Sequence, residues 1–151
     1  MNATPDEVRR RVQEEHDAIR AQIGALLEST REVAEHVADA PRLWRPMIEL
    51  CRMLQRHLDY EDEAFLPLLE QADAWGPVRV ASIDDEHRAE RAMIAALVED
   101  IAAGTRSDGE LVDEIAWFLN AVEHDMFDEE RLALDGDVVS VECVVVDQSD
   151  G

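Results

Sequence analysis

The sequence predicts an all-α fold, an antiparallel up-down-up-down four-helix bundle with a short Val-rich extended tail at its C-terminus. Three observations carry this. Apolar residues recur at helical spacing from residue 5 to about 134. Six glycines and five prolines fall mostly in a few clusters, and these divide that stretch into four. The clusters are also short, as connections between antiparallel neighbours must be. Residues 1–134 are therefore assigned to the helical domain and 135–151 to an acidic tail.

The first helix starts at Thr4-Pro5-Asp6-Glu7, an N-cap, a first-turn proline and two acids facing the helix dipole, and runs into the thirties. Ala38-Asp39-Ala40-Pro41 breaks it. A second helix follows to about Gln71, with Pro46 in its first turn and Pro67 inside it, where a kink or fraying is expected. Trp75-Gly76-Pro77 is a stop, and a third helix covers residues 78–103. The loop 104–109 offers Ser107 or Asp108 as the cap of a fourth helix, from about Glu110 to Leu134. Beyond Asp135-Gly136-Asp137 the period changes, and residues 138–146 read as a strand.

Composition bounds the function. The 151 residues carry 36 acidic and 14 basic side chains, a net charge of −22, and every basic one is arginine. That balance argues against nucleic acid and against an anionic membrane surface as partners. At 46% apolar residues, the chain is too hydrophobic to be a disordered acidic segment. No apolar run has the length of a membrane span, and the N-terminus lacks the pattern of a signal peptide. Cys51 and Cys143 do not make a disulfide framework. Cytoplasm is the expected compartment.

Four of the five histidines, His16, His57, His87 and His124, fall one per predicted helix. In an up-down bundle, residues at one depth are placed symmetrically about the turn between their helices. The point midway between His57 and His87 falls at the 71–77 break, and that between His87 and His124 falls in the 104–109 loop. That between His16 and His57 falls slightly before Ala38. The four rings are therefore expected at one level. His16 lies in the stripe Val12, Ile19, Ile23, Leu27, and His57 among Leu50, Leu54, Glu61 and Phe65. His87 lies among Val80, Ile83, Ile94 and Val98. His124 fits less well: it shares a face with Trp117, Ala121, Asp128 and Leu132, while Leu111, Ile115, Leu119, Val122 and Met126 lie mostly on the other side. Either the core-facing arc is very wide, or the fourth helix buries two faces. Glu61 and Asp128 each stand one turn beyond a histidine. The six residues His16, His57, Glu61, His87, His124 and Asp128 form an expected ligand shell for two metal ions, with N/O donors suited to iron, manganese or zinc. Ordinary core histidines are the bland alternative, and four in register on four helices weigh against it. His36 fits no part of the array and reads as a surface residue.

The segments Glu15-His16-Asp17-Ala18-Ile19-Arg20, His57-Leu58-Asp59-Tyr60-Glu61 through Pro67, Glu86-His87-Arg88-Ala89-Glu90-Arg91 and His124-Asp125-Met126-Phe127-Asp128-Glu129-Glu130 resemble the four motifs of the hemerythrin-like, HHE cation-binding family. The resemblance covers about residues 8 to 134. It implies a four-helix bundle with a non-haem di-iron centre, used for oxygen binding, iron handling, or response to oxygen, peroxide or nitric oxide. Ferritin-like bundles instead carry Glu-x-x-His on two helices, a motif absent here.

Two departures matter. Oxygen-carrying hemerythrins place two histidines four apart on the third helix, whereas here His87 is followed by Arg91. The position this opens is available to water, peroxide or a nearby acid such as Glu90, which favours reactivity or sensing over oxygen carriage. Asp128 replaces the commoner Glu, and its shorter reach shifts the second metal or moves bridging to Glu129. Arg20 and Arg91, each one turn past a histidine, either anchor outer carboxylates such as Glu15 or Glu86 or form plain rim salt bridges. Tyr60 reads as a packing residue at the edge of the site and Cys51 as a buried free thiol.

The expected function is a di-iron protein binding or sensing a small diatomic ligand, peroxide or iron. The alternatives are an enzyme decomposing peroxide or acting as an oxidase, and a metal store or interaction module. The fourth helix and the tail are the candidate surfaces for self-association.

Overall fold

The computed structural model describes residues 3–36 and 38–134, and these are almost wholly helical, with no strand among them. The Val-rich tail and Cys143 lie outside the described residues. Helix α1 (Pro5–Ala34) begins in a capping box: the Thr4 hydroxyl accepts from the Glu7 N–H while the Glu7 carboxylate accepts from the Thr4 N–H. Two of the free N–H groups of the first turn are thereby satisfied. His36, just past its end, is exposed and has a left-handed backbone, φ 60°.

A 3-10 turn (Ala40–Leu43) leads into α2 (Trp44–Tyr60). The predicted second helix does continue to residue 72, but in two pieces. A π turn (Glu61–Phe65) separates α2 from α3 (Leu66–Ala72). Pro67 explains the change of pitch. It has no N–H for the preceding turn, and its ring crowds the carbonyl four residues back. The turn before it widens instead of fraying, and the Leu66 N–H bonds the Glu61 carbonyl, five residues back.

Helix α4 (Gly76–Ala103) starts two residues earlier than expected. A side chain at Gly76 would collide with the carbonyl oxygens of Leu69 and Glu70, so only glycine lets α4 turn back against the end of α3. Gly104, φ 62°, caps the far end of α4. Helix α5 (Asp108–Leu132) opens with a second capping box, Ser107 and Glu110. Among the described residues, no helix is long and apolar enough to cross a membrane.

Helix α1 packs on α5 and α2, and α4 packs on α3, α5 and α2. Their apolar stripes do not merge into one core. The larger cluster contains Ile19 and Ile23, Leu54 and Leu58, Ile94, and Val122 and Met126. Cys51 is buried in it, and burial together with the nearby Glu90 charge pushes its thiol up to about 11. The smaller cluster contains Val8, Val12, Phe65, Leu66, Leu69, Ile83, Ala133 and Leu134. Between the two sets lie buried polar residues: His16 on α1, His57 on α2, Glu61 on the π turn, His87 and Glu90 on α4, Glu129 on α5. A layer of ionisable groups therefore crosses the core. Burying such groups costs several kcal/mol each unless each finds a partner.

Candidate metal centre

The layer is built from three imidazoles held from outside. Nδ1 of His57 is 2.8 Å from Glu15, Nδ1 of His16 is 2.8 Å from Glu130, and Nδ1 of His87 is 2.7 Å from Asp62. A carboxylate only accepts, so each Nδ1 carries the proton and each Nε2 is turned inward. Each carboxylate is in turn fixed by an arginine. Arg11 reaches Glu15 at 2.8 Å, Arg20 reaches Glu130 at 2.6 Å, and Arg91 reaches Asp62 at 2.6 Å and Asp59 at 3.0 Å. Of the two arginines expected as anchors, Arg20 and Arg91, both serve that role, on Glu130 and Asp62 rather than on Glu15 or Glu86. Glu130, with Arg20 and His16 beside it, is held down to about 2 against the opposing effect of burial. Arg11 also covers the Tyr60 ring, 3.6 Å from its centre, which keeps Tyr60 at the edge of the site.

Inside, two carboxylates face the rings. Glu61 Oε1 is 3.0 Å from His57 Nε2 and 3.5 Å from His16 Nε2, and its Oε2 is 3.0 Å from His87 Nε2. Glu129 Oε1 is 3.3 Å from His16 Nε2, and its Oε2 is 3.7 Å from His87 Nε2. These approaches are close yet poorly aligned. Glu61 Oε1, Glu129 Oε1 and His87 Nε2 are all buried without a hydrogen-bond partner. These atoms line a shared space without pairing with one another. One donor atom from each of His16, His57, Glu61 and Glu129 lies within 4.8 Å of the others. The space is a cavity of about 20 Å³, which Glu90 also lines. Its size and polar lining suit small inorganic ions and water, not an organic molecule.

The charge states follow from this crowding. Burial works to lower the three imidazoles, but the adjoining carboxylates outweigh it. His16, beside Glu129 and Glu61, rises to about 10, and His57, beside Glu15 and Glu61, to about 9. His87, beside Glu129, Glu61 and Asp62, rises to about 11. Glu61 is held well below the usual carboxylate range by the three rings, against burial. Glu129 is pushed up by burial and by the charge of Glu61. Burial also raises Glu90 to about 7. Protons thus neutralise the cluster where cations would otherwise do so.

Of the six residues singled out in the sequence, the structure brings four together: His16, His57, Glu61 and His87. It does not bring His124 or Asp128. The His124 side chain is 70% exposed, with Nδ1 3.5 Å from Asp128 and 3.7 Å from Asp125. Asp128 lies at the rim, 3.8 Å from Arg131. The reason is rotation about α5. Ile115, Leu119, Val122 and Met126 turn one face of α5 inward, and at 100° per residue the next position on that face is Glu129. His124 stands about 140° away. Spacing sets the depth of the histidine, but the apolar stripe sets the rotation of α5. Glu129 was considered only as a fallback, and Asp62, Glu130 and Arg11 were missed. Extending the α5 stripe by three residues from Met126 finds Glu129. Nothing comparable marks the outer carboxylates in so acidic a chain.

A family model, the hemerythrin HHE cation binding domain, matches residues 8–135. The chain belongs to this family. Comparison with curated proteins and with solved structures returns no match. The family description and the buried His/Glu cluster together assign metal-cation binding to this hemerythrin domain. The donor set fits such a cation: three neutral-capable imidazole nitrogens and two carboxylates with unpartnered inward atoms are a nitrogen and oxygen shell for a first-row metal.

Proposed function

We propose that the chain is a non-haem di-iron protein that binds or senses a small oxygen- or nitrogen-containing ligand. The observation that carries this is the placement of the two inner carboxylates. Glu61 and Glu129 each turn one oxygen toward His16 and the other toward His87. A carboxylate so placed can bridge two cations, one on the His16 and His57 side and one on the His87 side. When bound, the irons supply a redox-active centre with coordination positions left for a small ligand. The chain's own residues do the rest. The three Arg–carboxylate pairs hold the rings in one tautomer, and the apolar clusters on either side limit water. The cavity of about 20 Å³ favours a diatomic ligand or peroxide over an oxidase substrate.

The antiparallel up-and-down order is part of this reading. It is supported by the smaller cluster, which combines the start of α1, Leu66 and Leu69 of α3, the early part of α4 and the residues just after α5.

Metal analysis and optical spectra of the chain, loaded with Fe²⁺ under anaerobic conditions and then aerated, test the proposal. The expected result is two irons per chain and a near-ultraviolet ligand-to-metal charge-transfer band on aeration. Fewer than two bound irons with no such band would overturn it.

A further inference from the structure

Glu90 is the one buried carboxylate of the layer that the reading above does not use. It lies three residues after His87 on α4, is 6% exposed and lines the same cavity as His87, Glu61 and Glu129. Of the other buried carboxylates, Glu61 and Glu129 face the rings at close range, and of the outer ones Glu15, Asp62 and Glu130 each meet an arginine; Glu86 and Asp125 also line the cavity but are only half-buried. Among the described residues Glu90 makes no ion pair or hydrogen bond. Arg91, the adjacent cation, is committed to Asp59 and Asp62. A carboxylate so buried is expensive to keep without a partner. On the same cavity, His87 Nε2 is fully buried and unpartnered.

The two halves of the cluster also differ in composition. His16 and His57 both serve one half, with Oε1 of Glu61 and of Glu129 between them. The other half has a single ring, His87, with the Oε2 atoms of the same two acids. We infer that Glu90 is the additional protein ligand of the His87 half, giving the chain one nitrogen-rich and one oxygen-rich cation position that sort divalent metals by hardness. This rests on the two-cation reading above. Oxygen donors suit Mn²⁺, whereas imidazole suits Zn²⁺ and Fe²⁺, so the His87 position is the one that accepts the harder ion.

The test is to load the full metal-free chain with equimolar Mn²⁺ and Zn²⁺, remove loosely held metal, and measure metal content and the Mn²⁺ electron paramagnetic resonance signal. Wild type should retain one Zn²⁺ and one Mn²⁺ per chain. Glu90→Gln should retain the Zn²⁺ and hold Mn²⁺ at least about tenfold more weakly. Glu90→Asp, which keeps the charge, should recover part of the Mn²⁺ binding. Unchanged Mn²⁺ retention in Glu90→Gln would overturn the role of Glu90 while leaving two-cation binding intact. Wild type binding fewer than two ions of any kind would instead overturn the two-cation reading. Glu90→Gln removes an unpartnered buried carboxylate, so without metal its circular dichroism should match wild type and its melting temperature should be no lower; a collapsed fold would show that Glu90 acts structurally and would also overturn the inference.

Discussion

Asp62 holds Nδ1 of His87 at 2.7 Å, while its chain neighbour Glu61 places Oε2 3.0 Å from Nε2 of the same ring. One turn of π-helix therefore grips both edges of an imidazole on another helix. Asp62→Ala should leave the fold in place and weaken metal binding about 10–100-fold, the usual cost of removing an outer partner of a ligating histidine. Competition with a chelator of known affinity measures it. Unchanged affinity would mean that the His87 ring is positioned by packing alone.

The rotation of α5 separates two sets of variants. His124→Ala and Asp128→Asn should keep the metal content of wild type, because neither side chain reaches the cavity. Glu129→Gln and His16→Ala should lose at least one metal ion per chain. Elemental analysis of the four purified variants decides it, and a loss in His124→Ala would place that ring back at the centre.

Acidity should act on the metal-free protein through the rings. In the folded chain His16, His57 and His87 titrate near 10, 9 and 11, above the ordinary 6.5 of an unfolded histidine. Their protonation therefore stabilises the fold fully below about pH 6.5, and that stabilisation is lost as the pH rises through 9 to 11. The melting temperature of the chelator-treated protein should fall steadily from pH 7 to 10. Metal needs the unprotonated Nε2 atoms, so the loaded protein should keep its melting temperature over the same range, and its affinity should drop on acidification. A flat pH profile for the metal-free protein would contradict the raised values.

Gly76→Ala tests the close approach of α4 to α3. The added methyl group meets two backbone carbonyls that cannot swing aside. A destabilisation of about 1–3 kcal/mol is expected, read as a lower denaturation midpoint. Gly24, with open space around it, is the control: its alanine variant should be neutral or more stable, since α1 gains helix propensity.

The helices, their caps and three of the four proposed histidines were legible because each depends on local pattern: period, punctuation and one polar residue interrupting an apolar stripe. The π turn was not, since a single extra residue in a turn leaves no mark on composition, and only Pro67 signalled that something must give. The α5 residue that reaches the cavity is not the one spacing predicts, for a different reason. Spacing between helices predicts depth along a bundle but says nothing about rotation, which is fixed by the stripe from Leu111 to Met126. Among 36 acidic residues, the choice of Glu129, Asp62 and Glu130 over their neighbours needs three dimensions.

The division of the core into two apolar clusters has a mechanical consequence. Val8 and Leu134, near the two ends of the described chain, both belong to the smaller cluster, and the ionisable layer separates that cluster from the larger one. Without cations the layer is a seam of mutually solvated charges, and the smaller cluster is the natural unit to open first. A cation held by Glu61 and Glu129 acts as a rivet through the seam, tying the last turns of α5 to the π turn. Amide hydrogen exchange of residues 129–134 should then track metal loading far more closely than that of residues 111–122. If metal loading governs that exchange, residues after Leu134 are joined to the metal-dependent part of the molecule.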